Sequence, residues 1–342
     1  MSLRSCLLAG LFTALLVAQA FPASAQTTPA TTTTTAVETA DFFTIAQGRA
    51  PLGGWRIYRW QDFPDIYIVH FETYLLQGQT LNRFATYIEK VGTRGTHVSW
   101  RQMMHYLHAN GLTMENVYGA HDYRTRDMAR FFNAVFAAGD RLNVQEQRLL
   151  DTLAGLGLLA WDEDQAAWAH TGEQAVLSFA TRYLGNEKPS SQVLGQRGRP
   201  FEVRALYHET RHGLYFTEPR YAQACRDYWH EVLSEDDRRA FRLLLLLMNY
   251  DPADEELIIN EWQAYLLTPS YRFIGARALT SRLRGIASGG SRPSSLSSSE
   301  LNFLIRRGSR LADDIDRWMV RDLRDWLDEE WDVPGPFEVG AF

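Results

Sequence analysis

The spacing of apolar positions changes character along the chain. Between Trp55 and Trp60, and again between Asp65 and Phe71, aromatic and β-branched residues crowd into two short runs separated by a polar turn that contains Pro64. Such residues suit the pleated, half-buried surface of a strand, and two runs so close together predict a β-hairpin. After Phe71 the apolar period lengthens to about 3.6, the period of a helix. Leu81, Phe84, Ala85 and Ile88 then share one face of a helix that Gly92 ends. Segments 100–109, 127–138 and 144–156 repeat the helical spacing, and Asn143 followed by Glu146 reads as a capping box. Two apolar runs within 158–169 flank Asp162-Glu163-Asp164 and predict a second hairpin.

From Gly185 to Pro200 the chain is a run of turn formers with no period, which marks a boundary or a loop beside a site. Helical spacing dominates the remainder of the chain. One helix starts just after Pro200, with Val203, Leu206 and Tyr207 inward, and another starts at Pro219, since proline suits the first turn. Ser234 and Asp237 mark the start of a helix that runs through Leu243 to Met248. Asp251-Pro252 starts the next, which stops before Pro269. Residues 288–299, mostly Gly, Ser, Arg and Pro, read as a mobile loop or linker. Glu300 to Trp331 then reads as one long helix or two, with Leu301, Leu304, Leu311, Ile315 and Trp318 toward the core. The expected fold class is mainly α (α+β), with an α+β region over 41–190 and a helical region over 191–342.

Composition narrows the partners. The 342 residues are 45% hydrophobic and 22% charged, enough for a substantial core in a globular protein. A net charge of -6, with both signs mixed along the chain, offers no basic stripe, so nucleic acid is not expected as a partner. Arg4, the apolar run Leu7 to Val17, and Ala23-Ser24-Ala25 together read as a secretory signal over residues 1–25, with the mature chain starting at Gln26 in the periplasm or outside the cell. Residues 26–40, largely Thr and Ala, read as a flexible tether. No later run is long enough to span a bilayer, so the mature chain is expected to carry no membrane span. Loss of Cys6 with the signal leaves Cys225 alone, without an internal disulfide and on an amphipathic helix where it reads as a small buried hydrophobe.

The chemistry concentrates in Tyr207-His208-Glu209-Thr210-Arg211-His212, which fits H-E-x-x-H. Residues four apart share a helix face, so His208 and His212 can both reach one zinc ion, and Glu209 beside them is placed to take a proton from a zinc-bound water. Arg211 reads as a surface residue, and Gly213 either ends the helix or admits another backbone near the metal. The remaining histidines of the first half, His70, His97, His105, His108, His121 and His170, read as polar tips at the edge of the core. His121-Asp122-Tyr123-Arg124 reads as a polar cluster that caps the following helix.

A hydrolytic zinc site needs a third protein ligand. The position six past His212 is Glu218, placed to cap a helix, and Glu231, Glu255 and Glu256 sit among other charges. Glu261 instead lies among Ile258, Ile259, Trp262, Leu266 and Leu267, where a carboxylate needs a cation or a donor. With His208, Glu209 and His212 followed downstream by Asn260-Glu261, residues 208–265 resemble the gluzincin, or thermolysin-like, zinc metallopeptidases. The resemblance implies a zincin-like helical core beside a small sheet, one Zn2+ on His208, His212 and Glu261, and hydrolysis of a peptide or protein substrate with Glu209 as general base. Tyr265 stands where such enzymes often have an acidic residue that orients a ligating histidine. Its hydroxyl serves either that purpose or as a donor to a developing oxyanion, so Tyr265 joins Glu209 as a candidate catalytic residue. Two other functions fit the same motif: a non-catalytic zinc-binding envelope protein acting in binding or assembly, and a cell-wall amide hydrolase, since the motif specifies attack on a carbonyl and not which one.

Overall fold

The computed structural model describes residues 37–90, 92–109, 111–182, 199–248, 250–268, 296–327 and 331, with the side chains of 199–202, 309 and 316 excepted. The expected signal over 1–25, residues 26–36 of the tether, the 185–200 boundary up to residue 198 and most of the 288–299 linker lie outside the described residues. The chain is mainly α with a small mixed sheet contributed by its N-terminal part.

Five strands make that sheet: β1 (Val37–Ala40), β2 (Trp55–Trp60), β3 (Ile66–Thr73), β4 (His121–Arg124) and β7 (Ala175–Arg182). Their order is β1-β2-β3-β7-β4. The expected hairpin is the antiparallel pair β2 and β3, with Ile57 opposite Val69. β1 adds to it in parallel and β7 adds to β3 in parallel, while β4 closes the far edge antiparallel to β7. Order therefore begins before Asp41, because Val37–Ala40 finds a strand partner in Ile57 to Trp60. The second expected hairpin is present as β5 (Leu159–Asp162) and β6 (Ala167–His170).

Alternation along the strands splits the core into two layers. Tyr58, Trp60, Ile66, Ile68, Ala175, Leu177 and Phe179 face one side, and Trp55, Ile57, Val69, Phe71, Val176 and Ala180 the other. The second face is covered by α2 (Tyr74–Ile88), α4 (Thr125–Ala137) and α5 (Val144–Gly155). Short helices α1 (Phe42–Gln47) and α3 (Trp100–Ala109) complete the N-terminal half. α5 begins with the expected capping box, Asn143 and Glu146 bonding each other's backbone amides.

The first face carries α6 (Arg199–Thr217), the helix of the H-E-x-x-H segment. Around it pack α7 (Pro219–Asp227), which passes through a π-turn (Tyr228–Val232), then α8 (Glu235–Leu246) and α9 (Glu255–Leu267). Glu218 takes the N-cap position of α7, without a side-chain cap bond. α9 starts later than Asp251-Pro252 suggests. Asp251 instead closes a turn by accepting from Ala253 N at 3.0 Å, and Asp254 caps the helix by accepting from Leu257 N. α10 (Ser298–Asp314) opens with a Ser297/Glu300 capping box and continues through a π-turn (Ile315–Met319) into α11 (Val320–Trp326). The extra residue of that turn shifts the helix phase, so Met319 is buried and Trp318 is 37% exposed, the reverse of the expected inward Trp318. No described helix is long and apolar enough to cross a membrane.

Gly213 neither ends α6 nor admits another backbone. The helix runs on to Thr217, and what comes close is the sheet: a Cβ on Gly213 would meet Ile66 Cδ1 at 2.9 Å and Leu177 Cδ1 at 3.0 Å. A single missing methyl thus lets α6 lie on β3 and β7 one residue past His212.

Candidate metal centre

α6 is buried on nearly every side, by the sheet beneath and by α7 and α9 above, which is unusual for a helix with two histidines, a glutamate and an arginine in its middle. Each of those polar groups therefore needs a partner. Arg211, expected on the surface, is only 2% exposed. Its guanidinium donates to the Trp331 carbonyl at 2.9 Å and to the Tyr207 hydroxyl, with further support from Tyr221. It ties α6 to the C-terminal segment from within the core.

His208 and His212 project from one face of α6, their Nε2 atoms 3.2 Å apart. Glu261 comes from α9, where the apolar positions Ile258, Ile259 and Trp262 lock the helix into the core. Gln263 on the same helix donates to the Arg211 carbonyl at 3.3 Å and accepts from Tyr221 Oη at 2.7 Å, which fixes α9 against α6 and α7. Glu261 Oε2 is thereby held 4.0 Å from His208 Nε2 and 3.8 Å from His212 Nε2. It is buried with no hydrogen-bond partner. The circle through the three atoms has a radius of about 2.1 Å, the usual bond length from a first-row divalent metal to imidazole nitrogen or carboxylate oxygen. The three form a buried group that can hold a metal ion.

The outer sides of the two rings meet different surroundings. His208 hydrogen-bonds the Ala264 backbone, and Thr268 Oγ1, which donates to the Ala264 carbonyl at 2.6 Å, lies 3.5 Å from His208 Nδ1. The Tyr265 ring packs on the His208 ring at a centroid distance of 4.5 Å, and its hydroxyl lies 3.5 Å from that of Tyr250. His212 Nδ1 faces Asp122 Oδ2 at 3.6 Å. Asp122, Glu209 and His212 form a second group whose ligand atoms lie within 4.8 Å of one another.

Electrostatics mark the centre as short of positive charge. Burial, followed by the fields of Asp122, Glu261 and Glu89, pushes the Glu209 carboxyl well above the usual range. Burial and then Glu89 push Asp122 up in the same way, and the two carboxyls sit close enough to share a proton. Burial is also the main cause that pushes Glu261 up to about 8, against the pull of His212. Burial and the neighbouring His212 push His208 well below the ordinary imidazole range, so it presents a neutral ring. One nearby cation is Lys90, paired with Glu89 at 2.8 Å and set over the rings of Tyr250 (4.2 Å) and Tyr118 (5.0 Å), and Arg124 also acts on Asp122. Burial works against its charge, but Glu89, Tyr118 and Glu261 outweigh burial and raise its pKa. Buried carboxyls gathered this closely around two imidazoles are costly unless cations join them.

The structure thus brings together His208, Glu209, His212, Glu261 and Tyr265. It also adds Asp122, Lys90, Glu89 and Tyr250, which the sequence had not singled out for the site. For Asp122 the available signal was alternation. In β4 the residues His121 and Tyr123 turn to the buried helical layer, where they bond each other at 2.8 Å, while Asp122 and Arg124 turn toward α6. His70 behaves as expected, a polar tip bonded to Thr181 Oγ1 at 2.6 Å, and Cys225 is fully buried. Comparison with protein-family models, with curated proteins and with solved structures finds no match.

Proposed function

We propose that the chain is a secreted or periplasmic zinc metallopeptidase. The observation that carries this is the buried triangle of His208 Nε2, His212 Nε2 and Glu261 Oε2, sized for one metal and completed by an oxygen with no partner of its own. The donor set of two imidazoles and one carboxylate is the set that hydrolytic zinc sites use. A zinc ion held there supplies a Lewis acid that polarises a carbonyl and acidifies water near neutral pH.

The chain's own residues divide the remaining work. Glu209, next to His208 and raised in pKa by its surroundings, is the group that accepts a proton from the attacking water and returns it to the leaving amine. Tyr265, against the His208 ring, positions that ring or donates to the oxyanion. Replacing Glu209 by Gln is expected to keep the metal and lower hydrolysis of an unfolded protein by about 10²–10⁴-fold. Hydrolysis unchanged in Glu209→Gln contradicts the assignment. Cell-wall fragments digested in preference to unfolded protein would point to another amide as substrate.

A second reading, a non-catalytic zinc-binding envelope protein, draws on the depth of the site: His208, Glu209, His212 and Glu261 are all at most 5% exposed. It differs in predicting zinc without hydrolysis across a broad peptide panel, and a loss of folding stability when the metal is stripped.

A further inference from the structure

We propose that Asp122 is the positioning residue for His212, its carboxyl oxygen Oδ2 accepting a hydrogen bond from Nδ1–H so that the Nε2 lone pair points at the metal position. The inference rests on the His208–His212–Glu261 reading of the site and adds to it a residue from the N-terminal sheet.

Three observations converge. First, His212 Nδ1 is buried and lacks a hydrogen-bond partner within normal reach, while Asp122 Oδ2 waits 3.6 Å away. A buried imidazole N–H is costly to leave unpaired, and a closing movement of about half an ångström makes this bond. Second, β4 and α6 run alongside each other in matched steps. Asp122 sits at His212, and two residues on, the Arg124 guanidinium lies over the ring of Phe216, four residues on, at 4.6 Å. Two strand residues advance about 6.8 Å and four helical residues about 6 Å, so the pairing follows from the geometry of both elements and not from one fortuitous side-chain conformation. Third, both partners are placed by one residue. Asp122 pairs with Leu177 across the β4–β7 ladder, and the Leu177 side chain is also what Gly213, beside His212, packs against. The carboxylate is therefore held on a strand whose position is tied to that of the helix it serves.

Fixing the tautomer matters because only the deprotonated nitrogen can bind a metal. With the proton on Nδ1 held by Asp122, Nε2 is left free to face His208 Nε2 and Glu261 Oε2. His208 obtains the equivalent restraint from the Ala264 backbone, so the two rings are oriented by different devices.

Zinc affinity measured by chelator competition, together with the ¹⁵N–¹H correlation spectrum of the histidine rings in metal-free protein, tests the proposal. In the wild type His212 is expected as the Nδ1–H tautomer. Asp122→Ala should lose that preference and bind zinc about 10–100-fold more weakly, and Asp122→Asn, which keeps an acceptor oxygen, should retain the tautomer and fall between. Should the Ala variant fail to fold, the Asn variant decides: affinity reduced at least several-fold supports the role, and affinity equal to wild type overturns it. An unchanged tautomer and unchanged affinity in Asp122→Ala overturn it as well. So does a wild type that binds two zinc ions and an Asp122→Ala that binds one, since Asp122 would then be a ligand with Glu209. If wild type and His208→Ala both bind no zinc, the metal reading itself fails, and the tautomer shift alone decides whether Asp122 orients His212.

Discussion

Gly213 on α6 rests against Ile66 on β3, with 2.9 Å between the position a Cβ would take and Ile66 Cδ1. Leu177 Cδ1 is at 3.0 Å from the same position, so α6, the helix of His208 and His212, lies on the sheet at contact distance with no room for a side chain. Helix propensity alone would favour Ala here by about 1 kcal/mol. Overpacking two methyl tips in a closed core costs about 1–3 kcal/mol, and packing decides the sign. Gly213→Ala is expected to destabilise slightly, and Gly213→Val, branched at Cβ, by roughly 3 kcal/mol or more, with zinc affinity lowered as α6 lifts from β4. Urea unfolding of the metal-free variants checks this. A Val variant as stable as wild type contradicts it.

Stability of the metal-free protein should fall as pH rises. Glu261 has its carboxyl raised from 4.5 to about 8 by burial. Between those values the unfolded chain loses the proton while the folded chain keeps it, so ionisation favours unfolding across the window and levels off above it. The total is on the order of 5 kcal/mol, and Asp122 and Glu209, shifted the same way, add to it. Glu261→Gln should flatten the slope, and zinc should remove it in the wild type by taking the place of the proton. Urea midpoints at pH 6, 7, 8 and 9 measure it. A metal-free wild type whose stability rises over that range is the opposite result.

Much of this candidate centre is legible in the sequence because its candidate ligands sit on helices. His208 and His212 declare themselves by their spacing, and Glu261 by its apolar neighbours in α9. Local signals also carried the Asn143 capping box and the β2–β3 hairpin. What escaped was non-local. β7, Ala-Val-Leu-Ser-Phe-Ala-Thr-Arg, is the continuous apolar run expected of a central strand, yet its parallel partner β3 is about a hundred residues away and no turn announces the pairing. β4 is four residues long with three of them polar, so His121 to Arg124 reads as a helix cap in the sequence, and only β7 gives it a ladder to join. Asp122 was lost with the strand. Arg211 was misplaced on the surface because its partners, the Tyr207 hydroxyl and the Trp331 carbonyl, come together only when the C-terminal segment folds over α6.

The most direct test of the His208–His212–Glu261 site is the metal content of protein purified without chelators, beside His208→Ala and Glu261→Ala. About one zinc per wild-type chain, with loss in both variants while the fold survives by circular dichroism, is the expected result. A wild type free of metal, or a Glu261→Ala variant that holds zinc as tightly as wild type, contradicts it.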